Sequence, residues 1–138
     1  MTEIDELSYA WRDGFENEEL EALHGEGFGH APGDYDWRGQ LERHSLGWVC
    51  ARTKTGQLAG FVNVAWDGGA HAFILDAVVA ASRQRRGVGA ELIAHARQAA
   101  HDAGCEWLHV DFEEHLAPFY FERCGFDPTL AGLVFLRG

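Results

Sequence analysis

Between Phe73 and Ala103 the chain passes from an almost unbroken apolar run into a helical period through one short basic loop. That passage constrains its fold more than any other feature. The run Phe73-Ile74-Leu75-Asp76-Ala77-Val78-Val79 is apolar at every position but one, the pattern of a strand covered on both faces. Beyond Gly87, the residues Val88, Leu92, Ala96, Ala99, Ala100 and Ala103 fall on one helical face and Gly104 can end the helix, so a helix is expected over about residues 87–103. A buried strand that turns tightly into an amphipathic helix implies α/β layers.

The flanking sequence fills in those layers. Asn17 can cap a helix whose buried stripe is Leu20 and Leu23, and Asp36 can cap a second short helix running through Leu41. Between them, residues 25–36 read as an irregular loop rich in Gly, His and aromatic residues. Residues 46–52 and 57–66 alternate as strands around the turn Thr53-Lys54-Thr55-Gly56, and Asp67-Gly68 leads into a third antiparallel strand at about 70–80. After the long helix come a strand over 105–112, a short helix over 116–124 and a last strand over 132–137. The order predicts one α/β domain over residues 1–138, a mixed sheet with helices on both faces.

Composition narrows the function. Lys and Arg number 11 against 22 Asp and Glu, a formal charge of −11, which opposes nucleic acid and anionic membrane surfaces and favours a cationic partner. The acidic start, residues 1–7, has no basic region followed by an apolar stretch, and no segment is long enough to span a bilayer. A cytoplasmic protein is therefore expected. Cys50, Cys105 and Cys124 are odd in number and far apart, and read as reduced thiols. The eight histidines include no pair at helical zinc spacing, His109 and Asp111 make only two ligands on one strand face, and no metal is expected. No serine lies in a G-x-S-x-G elbow, so hydrolase chemistry has no support.

The basic loop is where the chemistry concentrates. Arg83, Arg85 and Arg86 stand beside Gly87 and Gly89 in an otherwise acidic chain. Glycines let backbone N–H groups approach an anion, and the start of a helix adds roughly half a positive charge. A bound pyrophosphate accounts for both features. The third glycine of a dinucleotide fingerprint and the lysine of a P-loop are absent.

The segment Gln84-Arg85-Arg86-Gly87-Val88-Gly89 resembles the GNAT acetyltransferase motif Q/R-x-x-G-x-G/A. Val79 falls where that pattern has an aliphatic residue, and Asp76 where it often has an acidic one. Downstream, Ala117, Gly125 and Phe126 match A-x-x-F-Y-x-x-x-G-F. The resemblance implies the GNAT fold, with a splayed cleft holding acetyl-CoA: pantetheine against the backbone of Ala77, Val78 and Val79, and pyrophosphate on N–H groups from Arg85 to Ala90, Val88 among them. It further implies acetyl transfer to an amine by direct attack in a ternary complex. The alternative is an acyl-CoA-binding sensor or interaction module.

Two positions depart from the pattern. Phe121 occupies the slot of the family's acid, a tyrosine, and Tyr120 stands one residue earlier; Glu114 replaces a frequent asparagine. Tyr120 is nevertheless expected to protonate the leaving thiolate. Asp76 is the expected base, with His71 and Glu113 as other candidates. The acceptor site is expected between the loop bearing Phe28 and Trp37 and the strand ends near Trp66 and His71. A homodimer is compatible with all of this.

Overall fold

The computed structural model describes residues 6–138; the start of the acidic terminus, residues 1–5, lies outside the described residues. Among the described residues, five strands form one sheet in the order β1 (Ser8–Trp11), β2 (Ser45–Arg52), β3 (Leu58–Trp66), β4 (His71–Val79) and β5 (Trp107–His109). All neighbours run antiparallel except β4 and β5, which are parallel. The sheet is mixed, as the sequence predicts.

Alternation along the strands sends successive side chains to opposite faces, and each face has its own core. On one face Val49, Ala51, Val62, Val64, Ala72 and Ile74 pack against Val88, Leu92, Ile93 and Ala96 of α3 (Val88–Asp102). On the other, Trp48, Cys50, Phe61 and Val78 meet Leu20 and Leu23 of α1 (Asn17–Phe28) and Trp37 and Leu41 of α2 (Trp37–His44). Each of the Val, Leu, Ile and Phe side chains among them stabilises the fold by roughly 1.5–3 kcal/mol relative to leaving it in water.

Several elements differ from the sequence-based expectation. The cap of α1 is Glu16, whose N–H donates to the Glu19 carboxylate at 3.0 Å, whereas Asn17 accepts the Arg38 N–H and donates to Asp36. α1 also runs on through Phe28, so the irregular loop is four residues shorter at its start than its glycines suggest. Asp36 does cap α2, accepting from the Gly39 N–H at 3.1 Å. Strand β1 gives no sequence signal because it is only four residues long; it is fixed from outside, Arg12 donating from its backbone to Trp48 and from its side chain to Leu46. The three cysteines are free, and among the described residues no helix is long and apolar enough to cross a membrane.

The C-terminal part departs most. β5 pairs over only three residues, Trp107–His109, where a strand over 105–112 was expected. The expected helix over 116–124 is a 3-10 turn, Glu114–Leu116, followed by a π-helix, Pro118–Arg123, whose Phe119 carbonyl accepts the Cys124 N–H at 3.0 Å. Residues 132–137, expected as a last strand, form none, and among the described residues no strand pairs with them.

Candidate active site

Strand β4 is paired along both edges at its start and along one edge at its end. Its ladder with β5 stops at Phe73 and His109, while its ladder with β3 continues to Val79. From Ile74 onward, one edge of β4 therefore offers backbone groups to a cleft rather than to a neighbouring strand. Ala77, Val78 and Val79 lie along that stretch.

Within it sits a bulge. Phe61 pairs with Val78 and Asn63 with Leu75, so the single residue Val62 faces both Asp76 and Ala77. Asp76 takes up the extra length in the left-handed region at φ 55, where Asp is more tolerated than most residues. The bulge turns the Asp76 carboxylate toward α1.

Helix α1 comes to meet it because Gly27 has no side chain; a Cβ there would collide with Cγ2 of Val78. One turn earlier on the same helix, His24 Nε2 lies 3.0 Å from Asp76 Oδ1. His24 Nδ1 is 2.8 Å from His30 Nε2, and His30 Nδ1 is 3.0 Å from the Ala31 carbonyl. The buried Glu21 stands 3.8 Å from His30 and accepts from the Trp37 indole and the Gly33 N–H, bonds that hold its carboxyl below the usual range. Phe28 stacks on His24 at 4.4 Å, and Trp37 tilts against it at 4.8 Å.

The protons of this network can be counted. An acceptor stands at each end, the Ala31 carbonyl and the Asp76 carboxylate, with two imidazoles between. Three links need three ring protons, whereas two neutral imidazoles carry two. With both imidazoles neutral, one link is left without a ring proton, and the carboxylates of Asp76 and Glu21 stand beside the pair.

At the other end of the cleft the chain leaves β4 through a 3-10 turn, Ala81–Arg83, and enters α3 after Gly87. Gly87 is the N-cap at φ 83, and Arg85 is also left-handed at φ 66, so successive N–H groups at the helix start are turned outward. Gln84 donates its side-chain amide to the Val79 carbonyl at 3.3 Å, bracing the loop against the strand it leaves. Glu26 of α1 accepts the Ala81 N–H, so one helix steadies both ends of the cleft. A Cβ on Gly87 meets nothing within 4 Å, whereas one on Gly89 would lie 3.1 Å from the Phe119 ring. The donors of residues 85–90 and the open approach at Gly87 fit a pyrophosphate group. Gly89 makes room for the π-helix as well.

The remaining sequence candidates fall in different places. Tyr120 is buried, 6 % exposed, among Phe112, Phe119 and Phe126, and burial pushes its hydroxyl pKa up. Phe121 meets Phe112 edge-on. His71 sits five residues before Asp76 on β4, roughly 16 Å along the strand, and pairs with His109 at 2.8 Å. Trp66 packs on the α3 face of the sheet, opposite Phe28 and Trp37, because its even spacing from Val62 and Val64 puts it on their side. Glu113 is exposed just past β5, 3.8 Å from His115. Sequence reasoning missed His24, His30 and Glu21; the contact of His24 with Asp76 spans 52 positions and leaves no local pattern.

Comparison with known proteins places this geometry. The fold superposes on a Trypanosoma brucei acetyltransferase at a TM-score of 0.79 and 20% identity, covering 94% of this chain and 99% of that one. Glucosamine-6-phosphate N-acetyltransferase from Arabidopsis thaliana gives 0.77 and 17%, over 95% and 99%. The aminoglycoside N-acetyltransferase AAC(6')-Iy in complex with CoA gives 0.75 and 18%, over 96% and 95%. No curated protein matches the sequence. The family model of the acetyltransferase (GNAT) family matches residues 5–126, and with sheet, cleft and loop in agreement the chain belongs to that family.

Proposed function

We propose that this protein transfers an acetyl group from acetyl-CoA to an amine by direct attack in a ternary complex. One observation carries the reading: an unpaired edge of β4 runs between the His24–Asp76 contact at its bulge and the glycine turn that opens α3. Asp76 and Val79 are separated by about 10 Å of strand, a distance that the arm of an extended cosubstrate spans. The named activities of the amine-acetylating neighbours support the same reaction class.

Acetyl-CoA, when bound, supplies the thioester. The chain supplies the rest. N–H groups from Arg85 to Ala90 hold the pyrophosphate, and the open backbone of Ala77, Val78 and Val79 aligns the arm. An amine must be neutral to attack, and a primary ammonium ordinarily keeps its proton to a pKa of roughly 10. Asp76 accepts that proton and shares it with His24 and His30, whose hydrogen bonds it completes. Phe28 and Trp37 flank the network, and they define where the acceptor lies. Tyr120, kept protonated by its burial, donates to the departing thiolate.

The test is calorimetric titration with CoA together with CoA release over a panel of primary amines. Binding with turnover supports the reading. Binding without turnover on any amine leaves only the CoA-binding module, and no binding ends both. Within it, Tyr120→Phe is expected to lower kcat about 10²-fold at unchanged CoA affinity. A kcat within a few-fold of wild type with a lower Tm would make Tyr120 a core residue and water the acid.

A further inference from the structure

We propose that the acceptor is a primary amine carried on an uncharged aromatic body, whose ring lies against Leu75 and Phe73 while its nitrogen meets Asp76. The inference deepens the acetyl-transfer reading and rests on it for the place of the nitrogen.

It starts from an uncovered piece of the sheet. Ala72 and Ile74 of β4 point into the core beneath α3, so His71, Phe73 and Leu75 face the α1–α2 side. Helices α1 and α2 roof that side over Trp48, Cys50, Phe61 and Val78, and His24 of α1 meets Asp76 at the bulge. Short of the bulge, Phe73 and Leu75 are 37 and 41 % exposed, although they stand on an inner strand of the sheet. An exposed apolar patch beside a functional group marks a surface that a ligand covers.

The patch and the network meet at one point. Leu75 adjoins Asp76 in sequence, and His24 links Asp76 to the Phe28 ring, which is 53 % exposed and stacked on it at 4.4 Å. Beyond Leu75, Phe73 stacks on His109 at 4.6 Å, and His71 lies 2.8 Å from His109, so the Phe73 ring is held in place. Strand spacing puts Phe73 roughly 7 Å beyond Leu75 and about 10 Å from Asp76. A ring tethered to the amine by one or two carbons therefore reaches from the carboxylate across Leu75 to the edge of Phe73. Aromatic rings gain more from such neighbours, offset or edge-on, than an alkyl chain of the same area does.

Charge and polarity turn other acceptors away. Residues 17–36, which make α1 and the loop after it, contain no Lys or Arg, and neither do residues 58–79 of β3 and β4 or the three residues of β5. Arg83, Arg85 and Arg86 stand at the other end of the cleft. A phosphate or carboxylate on the acceptor would lack a cationic partner here. The hydroxyls of a sugar amine would meet Leu75, Phe73 and Phe28 and lose the hydrogen bonds they make with water.

The test compares amines on the full chain with acetyl-CoA. kcat/KM for 2-phenylethylamine should exceed that for ethylamine by about 10²-fold and that for n-hexylamine by several-fold, with sugar amines and phosphate-bearing amines poorer still. Equal turnover of n-hexylamine or of a sugar amine would leave acetyl transfer standing and overturn the inference. If no amine is turned over, calorimetric titration of 2-phenylethylamine and ethylamine into the protein, with and without CoA, separates the two readings. Binding of 2-phenylethylamine alone supports the aromatic site while acetyl transfer fails; binding of neither, or of both alike, overturns the site. Phe73→Gln and Leu75→Gln, at exposed positions, should each keep a native circular dichroism spectrum and raise KM for 2-phenylethylamine about 10-fold with kcat little changed. A preference over ethylamine that survives both changes overturns the placement of the ring on this face.

Discussion

The two ends of the β4 cleft are built by different means. At the Gly87 end the groups that matter are backbone N–H donors, set by the left-handed residues Arg85 and Gly87 and by the start of α3. At the Asp76 end they are side chains from three separate segments, Asp76 from β4, His24 from α1 and His30 from the loop beyond it. A backbone site is written in consecutive residues and tolerates changes of side chain. A side-chain site depends on long-range packing, and one substitution can undo it.

The sharpest way to break that contrast is Asp76→Asn. The amide keeps the size of the side chain and cannot take up a proton, so kcat should fall by roughly 10³-fold, within the range typical of a positioned base. CoA affinity, measured by calorimetry, should stay within a factor of two or three. A large loss of CoA affinity instead would mean that the two ends are not separable.

His24→Ala comes next. It removes the link between Asp76 and His30 and leaves the carboxylate with water in place of an imidazole. The expected loss in kcat is about 10-fold, with Asp76 still present as base. His24→Ala combined with Asp76→Asn should cost little more than Asp76→Asn alone, because residues acting as one unit are not additive. Full additivity would show that His24 contributes to packing against Phe28 and Trp37 and not to proton transfer.

Gly87→Val tests the other end. A β-branched residue at φ 83 is strained by about 1–2 kcal/mol or shifts the turn, and either outcome misdirects the N–H donors. CoA affinity should fall about 10-fold while kcat at saturation changes little. The same change at Gly89 is a poorer probe, since its Cβ would press on Phe119 and lower stability as well.

The contrast also explains what the sequence could reveal. The loop, α3, the hairpin β2–β3 and the course of β4 follow from period, turn residues and glycine spacing, all of which are local. Asp76 was legible as the one charge in an apolar strand, but its bulge was not, because the extra residue shows only against Val62 of the partner strand. His24 and His30 were illegible for a related reason: Gly25, Gly27 and Gly29 suggest a loop, and only the close contact of Gly27 with Val78 shows why a helix there needs a glycine. Trp66 was assigned to the acceptor pocket by its position at a strand end, and strand parity puts it on the other face. Residues 132–137 have the composition of a strand, and composition does not supply the neighbouring strand that a ladder needs.

The smallest expected effect concerns the support beneath the side-chain end. Glu21 is buried, yet hydrogen bonds from the Trp37 indole and the Gly33 N–H, with lesser help from His30 and His24, hold its carboxyl below the usual range. A group whose folded pKa is depressed contributes stability that is complete above its unfolded pKa of roughly 4.3 and is lost as pH falls through the folded value. Glu21→Gln keeps one acceptor oxygen and has no such titration. At pH 7 the variant should melt a few degrees below wild type, in keeping with a single lost charge-assisted network. As pH falls below about 4 the difference should narrow, because the wild-type carboxyl then becomes neutral as well. The measurement is Tm against pH for both proteins by circular dichroism. A gap that stays constant down to pH 3 would mean that Glu21 acts by shape alone, and that the His24–His30 arm stands without its countercharge.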